Sequence, residues 1–172
     1  MEKLTANEFK ALETAAAAVG VPTDWLYNII RLESGWNPAI ENTKTRAKGL
    51  IQFMPDTARG LGYKDQFDLY AKHPTRESQL LGPVIKYLNQ WKPFSSEQSF
   101  YMSVLYPALR FKPADTILPA NVQKYNPGLV TIADYVRKIK RLPAAGSAAV
   151  AGVILLIGLT GFFLYKHFQS QG

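Results

Sequence analysis

Apolar residues recur at helical spacing along most of the first 142 positions, and each run is bounded by a recognisable start or stop. Thr5-Ala-Asn-Glu8 has the spacing of a capping box, and Phe9, Leu12, Ala16 and Val19 follow at helical intervals until Gly20 ends the run. Pro22 and Thr23 open a second helix with a broad apolar stripe of Trp25, Leu26, Ile29, Ile30 and Leu32, closed by Gly35. Glu33 falls in its last turn. From Trp36 to Ile51 the chain is polar and broken by Asn37-Pro38 and Lys48-Gly49, which predicts an irregular excursion with at most a short hairpin between Trp36 and Phe53. Pro55-Asp56-Thr57 begins a short helix, with Asp56 placed to cap it and Gly60 or Gly62 to end it. Thr75 to Trp91 and Ser95 to Tyr106 read as amphipathic helices, the second with Ser95-Ser-Glu-Gln98 as its capping box. Pro113, Pro119 and Pro127 then enforce a loop-rich stretch, and a last helix from Thr131 sets Ile132, Tyr135, Val136 and Ile139 on one side. No strand-like alternation appears, so the fold class is mainly α.

The pattern changes at Ala144, where a run of 22 uncharged residues extends to Tyr165. At 1.5 Å per residue such a run reaches about 33 Å, enough for a hydrocarbon core of about 30 Å, so one C-terminal transmembrane helix is expected. The chain divides accordingly into a domain at 1–142, a membrane segment at 143–166 and a short tail at 167–172. The opening MEKLTANEFK has no apolar stretch followed by a small-residue cleavage site and does not read as a secretory signal. Small residues four apart, Ser147 with Ala151 and Ala148 with Gly152, allow the membrane helix to self-associate.

Nineteen of the 20 Lys and Arg and all 13 Asp and Glu precede residue 143, so the domain carries a net charge of +6 and suits a polyanionic partner. With no cysteine, disulfides, thiolate metal sites and a Cys nucleophile are excluded. Two histidines, His73 and His167, are too few for a His-rich metal centre, and a Ser-His-Asp triad has only His73, which reads as a loop residue. No cofactor or metal is expected. The basic residues are not interleaved with aromatic ones in a nucleic-acid-binding pattern, and Gly60-Leu-Gly62 is too short for a phosphate loop.

The chemistry concentrates in Leu32-Glu-Ser-Gly-Trp-Asn-Pro-Ala39 and, ten residues further on, Gly49-Leu-Ile-Gln-Phe-Met-Pro-Asp-Thr-Ala58. The first puts the Glu33 carboxyl at a helix C-terminus beside Trp36, where the negative end of the helix and burial both disfavour ionisation. Raising a Glu pKa from about 4.3 to about 6 takes roughly 2.3 kcal/mol, and a helix end supplies only about 0.3–1 kcal/mol, so burial must supply most of it. A carboxylic acid kept protonated near neutrality can protonate a glycosidic oxygen.

Glu33-Ser34 together with Gly49-Leu50-Ile51-Gln52-Phe53-Met54-Pro55 and Thr57-Ala58 resembles the signature of the soluble lytic transglycosylases, relatives of goose-type lysozymes. The resemblance is clear over about residues 22–62. It implies a lysozyme-like domain acting on peptidoglycan glycan strands, with Glu33 as general acid/base, Ser34 supporting it, Gln52 and Met54 lining the sugar groove, and Gly49 letting the chain approach the saccharide. It also implies a tyrosine that positions the acid. Val104-Leu105-Tyr106-Pro107-Ala108 is the best counterpart, with Pro107 where the family carries Asn, and Tyr106 reads either in that role or as a core aromatic.

Most glycosidases need a second carboxylate. Glu41 and Asp56 are the nearest and neither is persuasive, which agrees with the implied single-acid reaction, in which the muramyl 6-hydroxyl attacks the anomeric carbon to give a 1,6-anhydro end. A water-using muramidase and an inactive membrane-anchored structural protein of a virion or channel are the alternatives. Trp36, Phe53, Tyr63, Tyr101 and Tyr106 offer ring faces for sugars, and Lys44, Arg46 and Lys48 could meet muramyl or peptide carboxylates. Arg137, Lys138, Lys140 and Arg141 precede the apolar run, against Lys166 after it, which places the domain on the cytoplasmic side of the producing membrane. That side suits a phage virion component, in contact with lipid and other virion proteins, that meets peptidoglycan during entry.

Overall fold

Helix α1 (Ala6–Val19) begins as its sequence dictates: Thr5 accepts from the Glu8 amide and the Glu8 carboxylate accepts from the Thr5 amide, while Gly20 closes the helix in the left-handed region. These contacts belong to a computed structural model that describes residues 4–141. The buried side of α1, with Leu12, Ala15, Ala16 and Val19, packs on α2 (Thr23–Ser34), whose Leu26, Ile29, Ile30 and Leu32 form the centre of the core. Phe9, expected in the stripe, stays 43% exposed.

Beyond α2 the excursion appears as two isolated bridges, Glu41 with Lys48 and Lys48 with Phe53, so the expected hairpin exists in minimal form. Helix α3 (Pro55–Gly60) follows, capped by the Met54 position without a side-chain bond. Asp56 is therefore not the cap; it lies in the first turn and pairs with Arg59. Helix α4 (Gln66–Lys72) is an element that the hydrophobic pattern did not reveal: Asp65 caps it through the Phe67 and Asp68 amides, and His73 ends it.

The expected helix at 75–91 is three pieces. Helix α5 (Arg76–Gln79) runs through a π segment (Leu80–Val84) into α6 (Ile85–Asn89). Pro83 lies inside the π segment, and its missing N–H interrupts the regular ladder. Helix α7 (Glu97–Leu105) is capped by Ser96 with Ser99, one residue later than the box read from the sequence, and a 3₁₀ turn (Pro107–Leu109) follows. Pro119 starts a short α8 (Ala120–Tyr125) within the proline-rich stretch, and Thr131 caps α9 (Ile132–Lys140).

Helix α2 is packed by α1 on one side and by α7 and α9 on others. Its C-terminal turn, and with it Glu33, is thereby enclosed. Among the described residues no helix is long and apolar enough to cross a membrane. The expected transmembrane segment at 143–166 and the tail at 167–172 lie outside the described residues.

Candidate active site

The end of α2 is built by two consecutive left-handed residues, Gly35 at φ 57° and Trp36 at φ 65°. A Cβ on Gly35 would meet nothing within 4 Å, so glycine is needed there for its backbone alone. Left-handed backbone is exceptional for a residue as bulky as Trp36 and has to be held by its surroundings. Its ring is fully buried and stands 5.2 Å from the Tyr27 ring, and its carbonyl accepts from Arg76 Nε at 2.6 Å. The chain thus reverses immediately after Glu33 and Ser34 and leaves both side chains on the inner face of α2.

Glu33 is wholly buried. A hydroxyl reaches it from α9, where Tyr135 donates to Oε1 at 3.2 Å, while Oε2 has no hydrogen-bond partner. Burial pushes the carboxyl up to about 8, against opposing effects of the Tyr135 hydrogen bond and the Lys138 ammonium. The physical cause is the one the sequence argument required, desolvation rather than the helix end. Around it the phenols of Tyr87, Tyr101 and Tyr135 are raised by burial, so they stay neutral donors, and Lys138 is lowered by its own desolvation.

Above a pH of about 4.5 the unfolded Glu33 loses its proton while the folded one keeps it until about 8, so the native state binds more protons and stability falls across that window. Glu33→Gln cannot ionise and escapes this loss. Its Tm should match the parent near pH 4 and exceed it by several degrees at pH 8, as read by thermal melts; a constant difference across that range would contradict the burial account.

The second segment forms a tight turn. Lys48 and Phe53 exchange both backbone hydrogen bonds, at 3.0 and 2.8 Å, around Gly49-Leu50-Ile51-Gln52. Gly49 at φ 86° and Gln52 at φ 52° are both left-handed. Gln52 is buried, donates Nε2 to the Gly49 carbonyl at 3.0 Å, and leaves Oε1 without a partner. A Cβ on Gly49 would lie 2.6 Å from Gln79 Oε1, so the close approach that glycine permits in this structure is to a protein side chain. Met54 is half-buried at the entry to α3.

The Ser34 hydroxyl donates to the Ile30 carbonyl at 3.0 Å, within its own helix. Tyr106 is buried at the end of α7. Trp36, Phe53 and Tyr101 are buried core rings and present no face to a ligand, which corrects their reading as sugar platforms. The half-buried Tyr63 bonds His73 through its hydroxyl at 2.8 Å. Glu41 is paired with Arg46 at 2.9 Å and Asp56 with Arg59. Lys48 Nζ lies 4.4 Å over the Tyr70 ring and Arg46 5.0 Å over Phe67. No cluster of three or more His, Cys, Asp or Glu able to hold a metal occurs among the described residues.

Sequence reasoning placed Tyr135 in an apolar stripe and missed its contact with Glu33. The available signal was weak: a tyrosine among isoleucines on a buried face needs a polar partner for its hydroxyl. Comparison with curated proteins and with solved structures gave no match. Residues 10–90, which run from α1 to just past α6 and include Glu33, Gly49, Gln52 and Met54, match the family described as Transglycosylase SLT domain. This segment belongs to that family, and the chain is an enzyme of the peptidoglycan lytic transglycosylase class.

Proposed function

We propose that the protein cleaves the β-1,4 bond between N-acetylmuramic acid and N-acetylglucosamine and releases a 1,6-anhydromuramyl end, with Glu33 as the only acid/base. The observation that carries this reading is the Glu33 carboxyl, wholly buried and alone in this among the carboxyls of the described residues, where desolvation favours the protonated form at neutral pH. Glu41 and Asp56 are each engaged by an arginine of their own segment, which gives neither the freedom expected of a nucleophile or a base for water.

In the proposed cycle the Glu33 carboxyl passes its proton to the glycosidic oxygen as the bond to the anomeric carbon breaks. The carboxylate left behind then takes the proton of the muramyl 6-hydroxyl as that oxygen bonds to the same carbon. Atoms and protons balance without water, and Glu33 ends as it began. Tyr135 holds Oε1, which leaves Oε2 as the oxygen that carries the proton. Because Glu33 is inaccessible in this state, a glycan reaches it only when part of its cover, which includes Tyr135 of α9, shifts aside. Gln52, Met54 and Gly49 then border the groove, while Ser34 stiffens the end of α2 and Tyr106 braces the core at the end of α7.

Two sets of variants test this reading. Tyr135→Phe removes a hydrogen bond to the carboxylate worth about 1.5–3 kcal/mol, so Glu33 should titrate higher and the alkaline limb of the pH–rate profile should move up. An unmoved limb would detach Tyr135 from the acid. Glu41→Gln and Asp56→Asn should leave murein cleavage within about two-fold of the parent, since neither carboxylate takes part; loss of activity in either would favour a water-using muramidase.

For the whole chain we propose a C-terminal membrane anchor at 143–166, entered from the basic collar of α9, and a role in a virion that opens the wall during entry. The uncharged run from Ala144 to Tyr165 and the charge bias around it support this. A cysteine placed near residue 10 should be shielded from a membrane-impermeant label in intact producing cells, and one near residue 170 should be reachable. The reverse pattern would favour a periplasm-facing wall enzyme.

A further inference from the structure

Helix α5 is four residues long, yet two of its side chains hold the loop that follows Glu33 from both ends. Arg76 donates Nε to the Trp36 carbonyl at 2.6 Å and places its Nη1 3.3 Å from Glu8 Oε1. Glu8 also accepts from the Thr5 amide at 2.7 Å, so the start of α1, α5 and the strained Trp36 form one connected chain of bonds. Gln79 is fully buried and uses its whole amide. Its Oε1 accepts from the Leu50 amide at 2.8 Å, and its Nε2 donates to the Pro38 carbonyl at 2.9 Å and to the His73 carbonyl at 3.0 Å. Gly49 packs directly against that amide.

The excursion between residues 36 and 53 has little regular structure of its own, only isolated bridges. Its first turn is fixed by Arg76 and Gln79 at Trp36 and Pro38, and its last turn by Gln79 at Leu50. The Glu33 carboxyl is held by other elements, through Tyr135 of α9. The hydrogen bond to the Glu33 carboxyl and the bonds that fix the two ends of the excursion therefore come from different elements, α9 and α5.

We infer that Arg76 and Gln79 are positioning residues for glycan binding: they set the loop bearing Gly49 and Gln52 at its working distance from Glu33 without setting the acidity of Glu33. The inference rests on the proposed reading of the 49–54 segment as the sugar groove. It also gives Gly49 a specific reason to be glycine, because any side chain there would push on the amide that fixes the turn.

The test is steady-state cleavage of soluble, uncrosslinked murein glycan strands by the full chain in detergent micelles. Gln79→Leu keeps the bulk and removes all three bonds. Its KM should rise about tenfold, equivalent to about 1.4 kcal/mol of binding, while kcat and the alkaline limb set by Glu33 stay within about two-fold. Gln79→Glu retains the acceptor for Leu50 and should recover part of the affinity. Arg76→Gln, at a half-buried position, is the independent variant should Gln79→Leu fail to fold, and should raise KM in the same selective way. An unchanged KM with a lowered Tm in the variants that fold would overturn the inference and reduce α5 to a structural prop, as would equal losses in kcat and KM together with a shifted pH limb. A fully active Glu33→Gln removes instead the reading of the site; an unmoved KM in an enzyme that needs Glu33 removes only the brace.

Discussion

Glu33→Gln should abolish cleavage of murein while the protein remains folded. The amide is nearly isosteric with the protonated acid, and the folded protein already holds this carboxyl neutral at pH 7, so neither packing nor charge changes much. What is lost is the ability to give a proton to the leaving oxygen and to take one back. Either transfer alone is typically worth about 10²–10⁴-fold, and among the described residues no second carboxyl is buried with it to replace it. Zymography on murein with circular dichroism as the folding control measures this. Activity within a few-fold of the parent would remove Glu33 from the reaction.

The second large effect is on stability. Trp36→Ala should cost about 3–5 kcal/mol, the usual range for removing a large buried aromatic ring, against a total stability for a domain of this size of about 5–15 kcal/mol. Trp36 is wholly buried against Tyr27, and the substitution empties that place while keeping the left-handed backbone strain. Trp36→Gly would relieve the strain by about 1 kcal/mol and should be somewhat less damaging than its truncation alone suggests. Chemical denaturation gives both numbers. A sugar platform would behave oppositely, with stability kept and KM raised.

Much of the scaffold was legible because its signals are local. The capping pairs at Thr5 and Thr131 and the glycine stops at Gly20 and Gly35 mark helix ends within a few residues, and the structure puts the ends there. Helix α4 escaped because its seven residues contribute few buried apolar side chains and depend on a single Asp65 cap. The helix read at 75–91 is present, but its division into pieces escaped because Pro83 is accommodated by a π segment, whose stability comes from packing on α1 rather than from sequence preference.

The site divides along the same line. Glu33 and its environment could be argued from neighbours in sequence: a helix end, Trp36, and a need for burial. Its hydroxyl partner could not, since Tyr135 lies 102 positions away and shares its helical stripe with ordinary core residues. The aromatic residues offered as sugar platforms show the same limit, because hydrophobic character alone does not say whether a ring lines a groove or fills a core. Gln79 and Arg76 were silent for a related reason. Their significance lies in which backbone groups they reach, and those groups are distant in the chain.

The most direct test of the single-acid account is mass spectrometry of the products that the full-length protein releases from murein glycan strands in water enriched in heavy oxygen. The account predicts muropeptides that end in 1,6-anhydromuramic acid, lighter than the reducing forms by one water and carrying no heavy oxygen. Reducing-end products that carry one heavy oxygen each would contradict it and establish that water, not the sugar's own hydroxyl, attacks the anomeric carbon.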